Sequence, residues 1–370
     1  MQPYVYPLLR VIMLVVYNVL DNVFSEKEFT AGNYTDYYYL TLDETEKQAY
    51  TAVKENIYEF PKTIETPILT TSQLEDVLNA LVFDDPMMFM MSNCKLITQG
   101  SRAFFTPSYC MDSDEYLHYK DSINRKLDSI AERIPADSFE AELFCHDYII
   151  NSCDYSDTDH VLESTVAGVF VEGKAKCSGY AKAFKLLLER ADIDSVLITG
   201  EATDYSGKTQ NHMWNAVKIG DSWCYTDLTW DDPLTEDGNS VCRHIYFNMT
   251  EKMLSETHNK FSFNEECDSP FLYYYIIYNA YFDSCDEQLT ASVSDLIAKA
   301  AQEGKTHVEF MLSSESVVSQ AQVFLFDEER IYRALETAAL KSGLPIVTDS
   351  LTYSANAEDK LIKIIFDIKG

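Results

Sequence analysis

Basic side chains are scarce in this sequence of 370 residues. It has 29 lysines and arginines against 60 acidic residues, which gives a formal net charge of −31 at pH 7. Binding of nucleic acid through its phosphates requires a basic face, so we predict no nucleic-acid partner. Hydrophobic residues make up 46% and charged residues 24% of the chain, a balance that excludes general disorder.

The spacings of structural metal sites are also missing. The nine cysteines include no CxxC pair and no Cys/His pattern of the zinc-binding kind, and their odd number does not indicate a disulfide scaffold. We interpret most of them as small buried hydrophobic residues, which leaves room for one reactive thiol.

Long hydrophobic runs are missing as well. The apolar run after Arg10 extends over residues 11–20 only by including a tyrosine and an asparagine, whereas a bilayer span needs about 20 apolar residues. We predict no transmembrane span and interpret the run as a first helix packed on the fold. With that interpretation a cytoplasmic location is favoured. The alternative is that the run is a weak secretory segment, which would mean a secreted or cell-surface protein.

The length indicates more than one packed unit. We predict an N-terminal helical or α+β region at 1–135, a core at 136–262 and a C-terminal α+β region at 263–370. Thr41 and Glu44 have the spacing of a capping box ahead of a helix. An aromatic-rich run at 271–282 predicts a buried helix, and alternating apolar residues at 308–312 and 362–368 predict strands.

The three tryptophans lie within seventeen residues in the middle of the chain. Residues 211–218 and 223–229 predict two strands joined through Gly220 and Asp221, a dipeptide suited to a tight hairpin turn. A two-residue loop pairs Ile219 with Ser222 and fixes which side chains share a face.

In that register His212 and Asp227 project to the same side as diagonal neighbours, at about 7–8 Å between backbones. A carboxylate at that distance can reach an imidazole nitrogen and fix its tautomer. Trp214 shares the face, and we assign it to the substrate-binding surface, with a purely structural role as the alternative. Asn215 points to the opposite face and is left out of the site.

Cys177 begins a predicted helix whose core face carries Tyr180, Phe184 and Leu187. The free N–H groups and the dipole at a helix N-terminus favour a thiolate. Lys174 and Lys176 add positive charge near it, which acts in the same direction. A thiol nucleophile needs a positioned base, which the His212 hairpin supplies.

These segments resemble the bacterial transglutaminase-like, or transglutaminase/protease-like, superfamily. Residues 172–188 (EGKAKCSGYAKAFKLLL) are similar to its cysteine motif, and 212–217 (HMWNAV), 223–227 (WCYTD) and 229–233 (TWDDP) to its second motif. The resemblance covers about residues 140–260. It implies an α+β, papain-like core, in which the nucleophile's helix packs on an antiparallel sheet, and a triad of Cys177, His212 and Asp227. Cys224 stands where members often have an aromatic or aliphatic residue.

Other polar residues near these motifs have structural interpretations. His146 lies on an apolar helix face, and His244 and His258 have no acid at a spacing that can be placed, so we interpret all three as structural. Asp231 and Asp232, with the acidic residues at 236 and 237, lack the pattern of a calcium loop and predict a solvated acidic turn.

We therefore predict a cysteine-nucleophile acyl-transfer enzyme that acts on a protein or peptide substrate and needs no metal or organic cofactor. Hydrolysis is favoured over protein cross-linking by transamidation, because water is always present. A peptide-binding or scaffolding protein with a disabled site is the alternative of a different class. The backbone N–H of Cys177 is one candidate donor to the oxyanion of the reaction, and the second donor, the substrate and the oligomeric state stay open.

Overall fold

A computed structural model describes residues 10–15, 36–158, 160–233, 242–261 and 263–369. The chain divides into two compact units, residues 1–269 and residues 270–370. The division into three regions at 135/136 and 262/263 stays a prediction. In the part of the chain that the structure describes, no helix is both long enough and apolar enough to cross a bilayer.

The first unit begins with a four-stranded antiparallel sheet and four helices. The sheet has the strand order β1-β3-β4-β2. Its strands are β1 (Arg10–Val15), β2 (Ile64–Thr66), β3 (Met91–Gln99) and β4 (Arg102–Tyr109). The helices are α1 (Tyr37–Thr41), α2 (Glu44–Asn56), α3 (Thr71–Asp84) and α4 (Ser113–Ala131).

Two sequence predictions fail in this part. Arg10–Val15 is a strand paired with β3, so the predicted first helix is wrong there, and the rest of that run lies outside the described residues. The capping box of α2 is formed by Asp43 and Glu46 and not by Thr41 and Glu44. The Asp43 carboxylate accepts from the Glu46 N–H, and aspartate serves in this position as well as threonine does.

A second antiparallel sheet and one buried helix form the centre of the first unit. The sheet has the order β10-β7-β8-β9. Its strands are β7 (Ser195–Thr203), β8 (Thr209–Ile219), β9 (Ser222–Thr226) and β10 (His258–Asn259). The helix α6 (Cys177–Arg190) packs on β8, where the Asn215 amide donates to the Ala181 carbonyl at 3.0 Å.

The predicted hairpin register is confirmed over the length of β9. Ile219 pairs with Ser222 and Asn215 with Thr226. The loop has two residues, and its first, Gly220, has a φ of +61°, which glycine adopts without strain. The ladder ends at Thr226, so Asp227 lies one residue beyond the last pair.

Smaller elements complete the first unit. Helix α5 (Ser138–Ile150) is capped by Asp137, whose carboxylate accepts from the Glu140 N–H at 3.1 Å. The remaining elements are β5 (Asp154–Tyr155), β6 (Lys174–Ala175), which pairs parallel with β5, and α7 (Glu251–Leu254), with short 3₁₀ and π turns at Ile57–Glu59, Val161–Ser164 and Gly168–Glu172.

The second unit has a four-stranded sheet in the order β11-β12-β14-β13. Its strands are β11 (Tyr281–Phe282), β12 (His307–Leu312), β13 (Ile346–Asn356) and β14 (Leu361–Ile368). Its helices are α8 (Tyr274–Ile277), α9 (Glu287–Gln302), α10 (Glu315–Gln322) and α11 (Arg330–Ser342), with short turns at Pro270–Leu272 and Val323–Asp327. The predicted strands at β12 and β14 are confirmed, whereas the single helix predicted for 271–282 is wrong.

Candidate active site

Cys177 is the first residue of α6 and is 8% exposed. Lys176 precedes the helix in extended conformation and supplies no side-chain cap, so its side chain does not compete for the first N–H groups of the helix. Gly179 allows this turn to approach its neighbours, because a Cβ at that position would lie 2.5 Å from the Glu163 carbonyl oxygen. The Cys-Ser-Gly sequence thus places the thiol and lets the helix pack behind it.

His212 lies on β8 and is 2% exposed. Its Nε2 lies 2.6 Å from Oδ2 of Asp227. The negative charge of Cys177 also acts on this imidazole, and since Nε2 faces the carboxylate, Nδ1 is the nitrogen left for the sulfur. The structure therefore brings together all three residues that the sequence proposes as a triad.

Asp227 is held from several sides and is 1% exposed. Its backbone N–H donates to the Tyr246 carbonyl at 3.0 Å. Its Oδ1 accepts from the backbone N–H groups of Thr229 at 3.0 Å and Trp230 at 3.3 Å. Oδ2 is thereby directed toward His212.

The charges of these residues stabilise one another. Burial opposes protonation of His212, but the negative charges of Asp227 and Cys177 outweigh burial and raise the pKa of His212 to about 10. Burial raises the pKa of the Asp227 carboxyl, and the charge and hydrogen bond of His212 then hold it well below its ordinary value. The base is thus an imidazolium beside an ionised acid at neutral pH.

His258 is a member of the site that sequence reasoning missed. Its Nε2 lies 3.0 Å from Oδ2 of Asp227, and it is fully buried. Burial keeps the pKa of His258 below its ordinary value, so the ring is neutral and donates from Nε2 to the carboxylate. Its Nδ1 then accepts from the Thr257 hydroxyl at 2.9 Å. Strand pairing of β10 with β7 places it there, and no short-range pattern indicates that pairing.

Trp214 and Trp230 flank the base. The Trp214 ring stacks on His212 at 5.9 Å between centroids and lies 4.8 Å from His258. Trp214 is 1% exposed, and its indole N–H has no hydrogen-bond partner in the described part of the chain. The indole shields the imidazole, and contact of Trp214 with a substrate stays a prediction. The Trp230 ring lies 6.2 Å from that of His212, measured between centroids.

Lys182 is a basic residue that interacts electrostatically with Cys177 and that the sequence did not single out. Lys176, which the sequence places next to the thiol, forms an ion pair with Asp157 at 3.0 Å. Lys182 donates from Nζ to the Ser164 carbonyl at 3.1 Å. Burial lowers the pKa of Lys182 to about 8, while the negative charge of Cys177 opposes that shift.

Tyr155 is a second residue that the sequence did not single out. Pairing of β5 with β6 aligns it with Ala175, two residues before Cys177. Burial, followed by the charges of Cys177 and nearby carboxylates, raises the pKa of Tyr155 above its ordinary value. The phenol therefore keeps its proton at neutral pH and is able to donate a hydrogen bond.

The predicted solvated turn is wrong at the two residues that the structure describes. Asp231 and Asp232 are 0% and 5% exposed. Asp232 accepts from the Tyr180 hydroxyl at 2.7 Å, and Asp231 accepts from the Tyr246 N–H at 3.0 Å. Burial of both carboxylates is possible because such donors replace water. Positions 236 and 237 lie outside the described residues.

Among the residues that the structure describes, two groups of side chains have ligand atoms close enough to share a metal ion. In the first, one ligand atom from each of His212, Asp227 and His258 lies within 4.8 Å of the others. Both imidazoles converge on the same carboxylate oxygen, so an ion would have to replace the hydrogen bond between His212 and Asp227. This arrangement favours proton transfer over metal binding. The second group contains His146 and His244.

Comparison with known proteins gives a family match in the central part of the chain. Residues 128–228 match the family model of the transglutaminase-like superfamily, and this segment contains Cys177, His212 and Asp227. The predicted α+β fold class, with a transglutaminase-like core, is confirmed. The match supports a cysteine-protease-like or transglutaminase-like function in general. No curated protein sequence matches the chain.

Solved structures with similarity to the chain include a crystal structure of a TGase, with 15% identity and a TM-score of 0.27. That alignment covers 46% of this chain and 51% of the other. A "putative cysteine protease" from Cytophaga hutchinsonii has 12% identity and a TM-score of 0.27, with coverage of 48% of this chain and 65% of the other. The chain thus spans about half to two thirds of the length of these two proteins.

Proposed function

We propose, from the transglutaminase-like domain at residues 128–228, that the chain is an acyl-transfer enzyme that uses Cys177 as its nucleophile and hydrolyses amide bonds of proteins or peptides. The observation that carries the proposal is the buried pair of His212 and Asp227, with 2.6 Å between the two side chains, together with the electrostatic interaction of His212 with Cys177. Each contact suits the role of its residue in thiol catalysis.

In the first half of the reaction the Cys177 sulfur attacks the amide carbonyl carbon. The carbon–sulfur bond forms, and the carbonyl electron pair moves to the oxygen. His212 then donates its Nδ1 proton to the amide nitrogen, the carbon–nitrogen bond breaks, and the amine leaves a thioester on the enzyme. Asp227 keeps the imidazole in the orientation that this transfer needs.

In the second half a water molecule attacks the thioester. His212, now neutral, accepts a proton from the water, and the carbon–sulfur bond breaks to release the carboxylic acid and the thiolate. The Cys177 N–H and the Tyr155 hydroxyl are our candidates for donors to the oxyanion in both halves. Donors of this kind stabilise the charge that develops on the carbonyl oxygen.

Transamidation is the second candidate, and one observation favours it. The base is enclosed by the rings of Trp214 and Trp230, and His212 is 2% exposed, so water has limited access to that side of the thioester. A primary amine in place of water would give an isopeptide product. The charge of −31 favours neutral or basic substrates in either reaction.

Alkylation by iodoacetamide tests the nucleophile. Near neutral pH we expect Cys177 to react fastest of the nine cysteines, as mapped by peptide mass spectrometry. Cys177→Ala should remove activity and leave the far-ultraviolet circular dichroism unchanged. Cys110→Ala is the matched control, because Cys110 is more exposed than Cys177 but has no part in the site. Equal labelling of several native thiols would remove the main support for an enzyme.

The acceptor is tested with casein and a labelled primary amine in the same reaction. Hydrolysis predicts new termini or released ammonia with little incorporation of the amine. Efficient incorporation with negligible hydrolysis would establish transamidation. If neither product forms although Cys177 is reactive, a binding role becomes the better interpretation.

A further inference from the structure

A second cluster of ligand-type side chains lies at the last turns of α5, outside the triad. His146 and Asp147 come from that helix, and Cys242 and His244 come from the segment that follows the triad acid in sequence. One ligand atom from each of the four residues lies within 4.8 Å of all the others. The cluster therefore joins two segments that are about ninety-five residues apart in the chain.

The separations suit a single ion at the centre of the cluster. Oδ1 of Asp147 lies 2.9 Å from His146 Nδ1, 2.8 Å from His244 Nε2 and 3.3 Å from Cys242 Sγ. The Cys242 sulfur lies 4.0 Å from His244 Nε2. Ligands at ordinary zinc distances in a tetrahedron are about 3.3–3.6 Å apart. Small side-chain movements would bring the four atoms to that geometry.

The donor types identify the class of ion. Two imidazole nitrogens, one sulfur and one carboxylate oxygen are ligands of zinc and similar transition metals. Calcium and magnesium prefer oxygen ligands throughout, so Cys242 argues against them. With four protein ligands, the set matches a structural site, which keeps no open coordination position.

Asp231 supplies the second, independent observation. Its carboxylate is fully buried, and Oδ2 lies 3.2 Å from Nε2 of His146, on the side of the ring away from the cluster. Metal-binding histidines almost always donate their other N–H to such a partner, which fixes the tautomer and aims the free nitrogen at the ion. Asp231 thus directs His146 Nδ1 toward the cluster.

We propose that His146, Asp147, Cys242 and His244 bind one zinc-type ion that fastens the segment after the triad acid to α5. The same segment is linked to the triad through the backbone, since the Asp227 N–H donates to the Tyr246 carbonyl and the Tyr246 N–H donates to Asp231. The ion would therefore support the position of Asp227 without touching it. This inference is independent of the reaction proposed for Cys177.

Sequence spacing does not indicate the site. Cys242 and His244 form a short C-x-H pair, and His146 with Asp147 forms an adjacent pair. Known zinc patterns use wider spacings within each pair, and each pair alone is common in proteins without metal. Only the fold of the first unit brings the two pairs together. The structural role predicted for His146 and His244 is thereby specified as that of ligands to the proposed ion.

Binding of cobalt(II) to the full chain tests the proposal. The protein is purified in chelator as Cys177→Ala, which removes the triad thiol as a ligand, and is titrated with cobalt(II) and then with zinc. We expect one equivalent of cobalt, a sulfur-to-cobalt charge-transfer band, and its displacement by zinc. Zinc should also raise the thermal unfolding midpoint, because an ion that binds only the folded state stabilises it.

Variants in the same background locate the ion. Cys242→Ser should remove the charge-transfer band, and Asp231→Asn should weaken zinc binding by about 10- to 100-fold while keeping the band. Cys285→Ser, at a partly exposed thiol in the second unit, is the control and should change neither. The proposal is overturned if no band forms, if Cys242→Ser keeps it, or if His212→Ala removes binding while Cys242→Ser does not. None of these readouts uses catalytic activity.

Discussion

His258 donates to the same oxygen of Asp227, Oδ2, that receives the hydrogen bond from His212. The two imidazoles differ in protonation, because the pKa of His212 is raised to about 10 and that of His258 is lowered. The neutral imidazole of His258 thus holds the Asp227 carboxylate in place for its ion pair with the charged imidazole of His212. This arrangement makes His258 a positioning residue for the proposed triad.

Replacement of His258 should reduce the catalytic activity without abolishing it. We expect His258→Phe to reduce kcat by roughly 10- to 100-fold, the effect of one hydrogen bond to a charged group. His258→Gln keeps an N–H donor and should recover part of that loss. Steady-state kinetics on both variants, with exposed His118 changed to Gln as the control, measures the difference. Equal losses for Phe and Gln would argue for a packing role alone.

The pH profile of the reaction should have an alkaline limit set by His212. Its raised pKa means that the imidazolium persists until about pH 10, so kcat/KM should fall as pH rises through that value. The same ion pair stabilises the fold below the ordinary histidine pKa of about 6.5, and that stabilisation is lost as pH rises through about 10. Asp227→Asn removes the negative charge and should move the kinetic limit to lower pH. An unmoved limit in Asp227→Asn would assign it to another group.

Tyr155→Phe tests the proposed oxyanion donor. Loss of the hydroxyl should reduce kcat by about 10²-fold with a small change in KM, since the oxyanion exists in the transition state and not in the bound substrate. Tyr119→Phe is a suitable control, because that phenol bonds to Glu172 at the surface. A Tyr155→Phe enzyme with full kcat would exclude the role.

Asp84 should make the stability of the first unit depend on pH. Burial raises the pKa of this carboxyl to about 7, although the N–H groups of Tyr38 and Tyr39 donate to it. The folded state therefore favours the protonated form, which contributes stability below about pH 4, and that contribution is lost as pH rises through about 7. Asp84→Asn should flatten this part of the curve of unfolding midpoint against pH. Identical slopes in both proteins would contradict the assignment.

The parts of the site that the sequence predicts are those that depend on local geometry. The two-residue turn at Gly220 sets the register of β8 and β9, and that register places His212 and Asp227 on one side. The helix start at Cys177 is likewise a local property. Both predictions need only the alternation of side chains along a strand and the free N–H groups of a first helical turn.

The parts that the sequence does not predict depend on distant pairings. His258 reaches Asp227 through the contact of β10 with β7, and the pairing of β5 with β6 aligns Tyr155 with Ala175, two residues before Cys177. Burial of Asp231 depends on donors from other segments. Composition also misled the interpretation at that position, because adjacent aspartates are usually exposed and these two are not.

The position of Asp227 just beyond the end of β9 has a consequence for local unfolding. His212 is locked into the sheet through its pairing with Gly200, whereas the amide of Asp227 relies on Tyr246, in a segment that follows the sheet. The backbones of base and acid are thus held by different segments of residues 1–269, and we expect the segment at Tyr246 to open locally while the sheet stays intact. Catalytic competence should therefore be lost on warming before the sheet melts, with the Asp227 amide exchanging its hydrogen faster than those of β8.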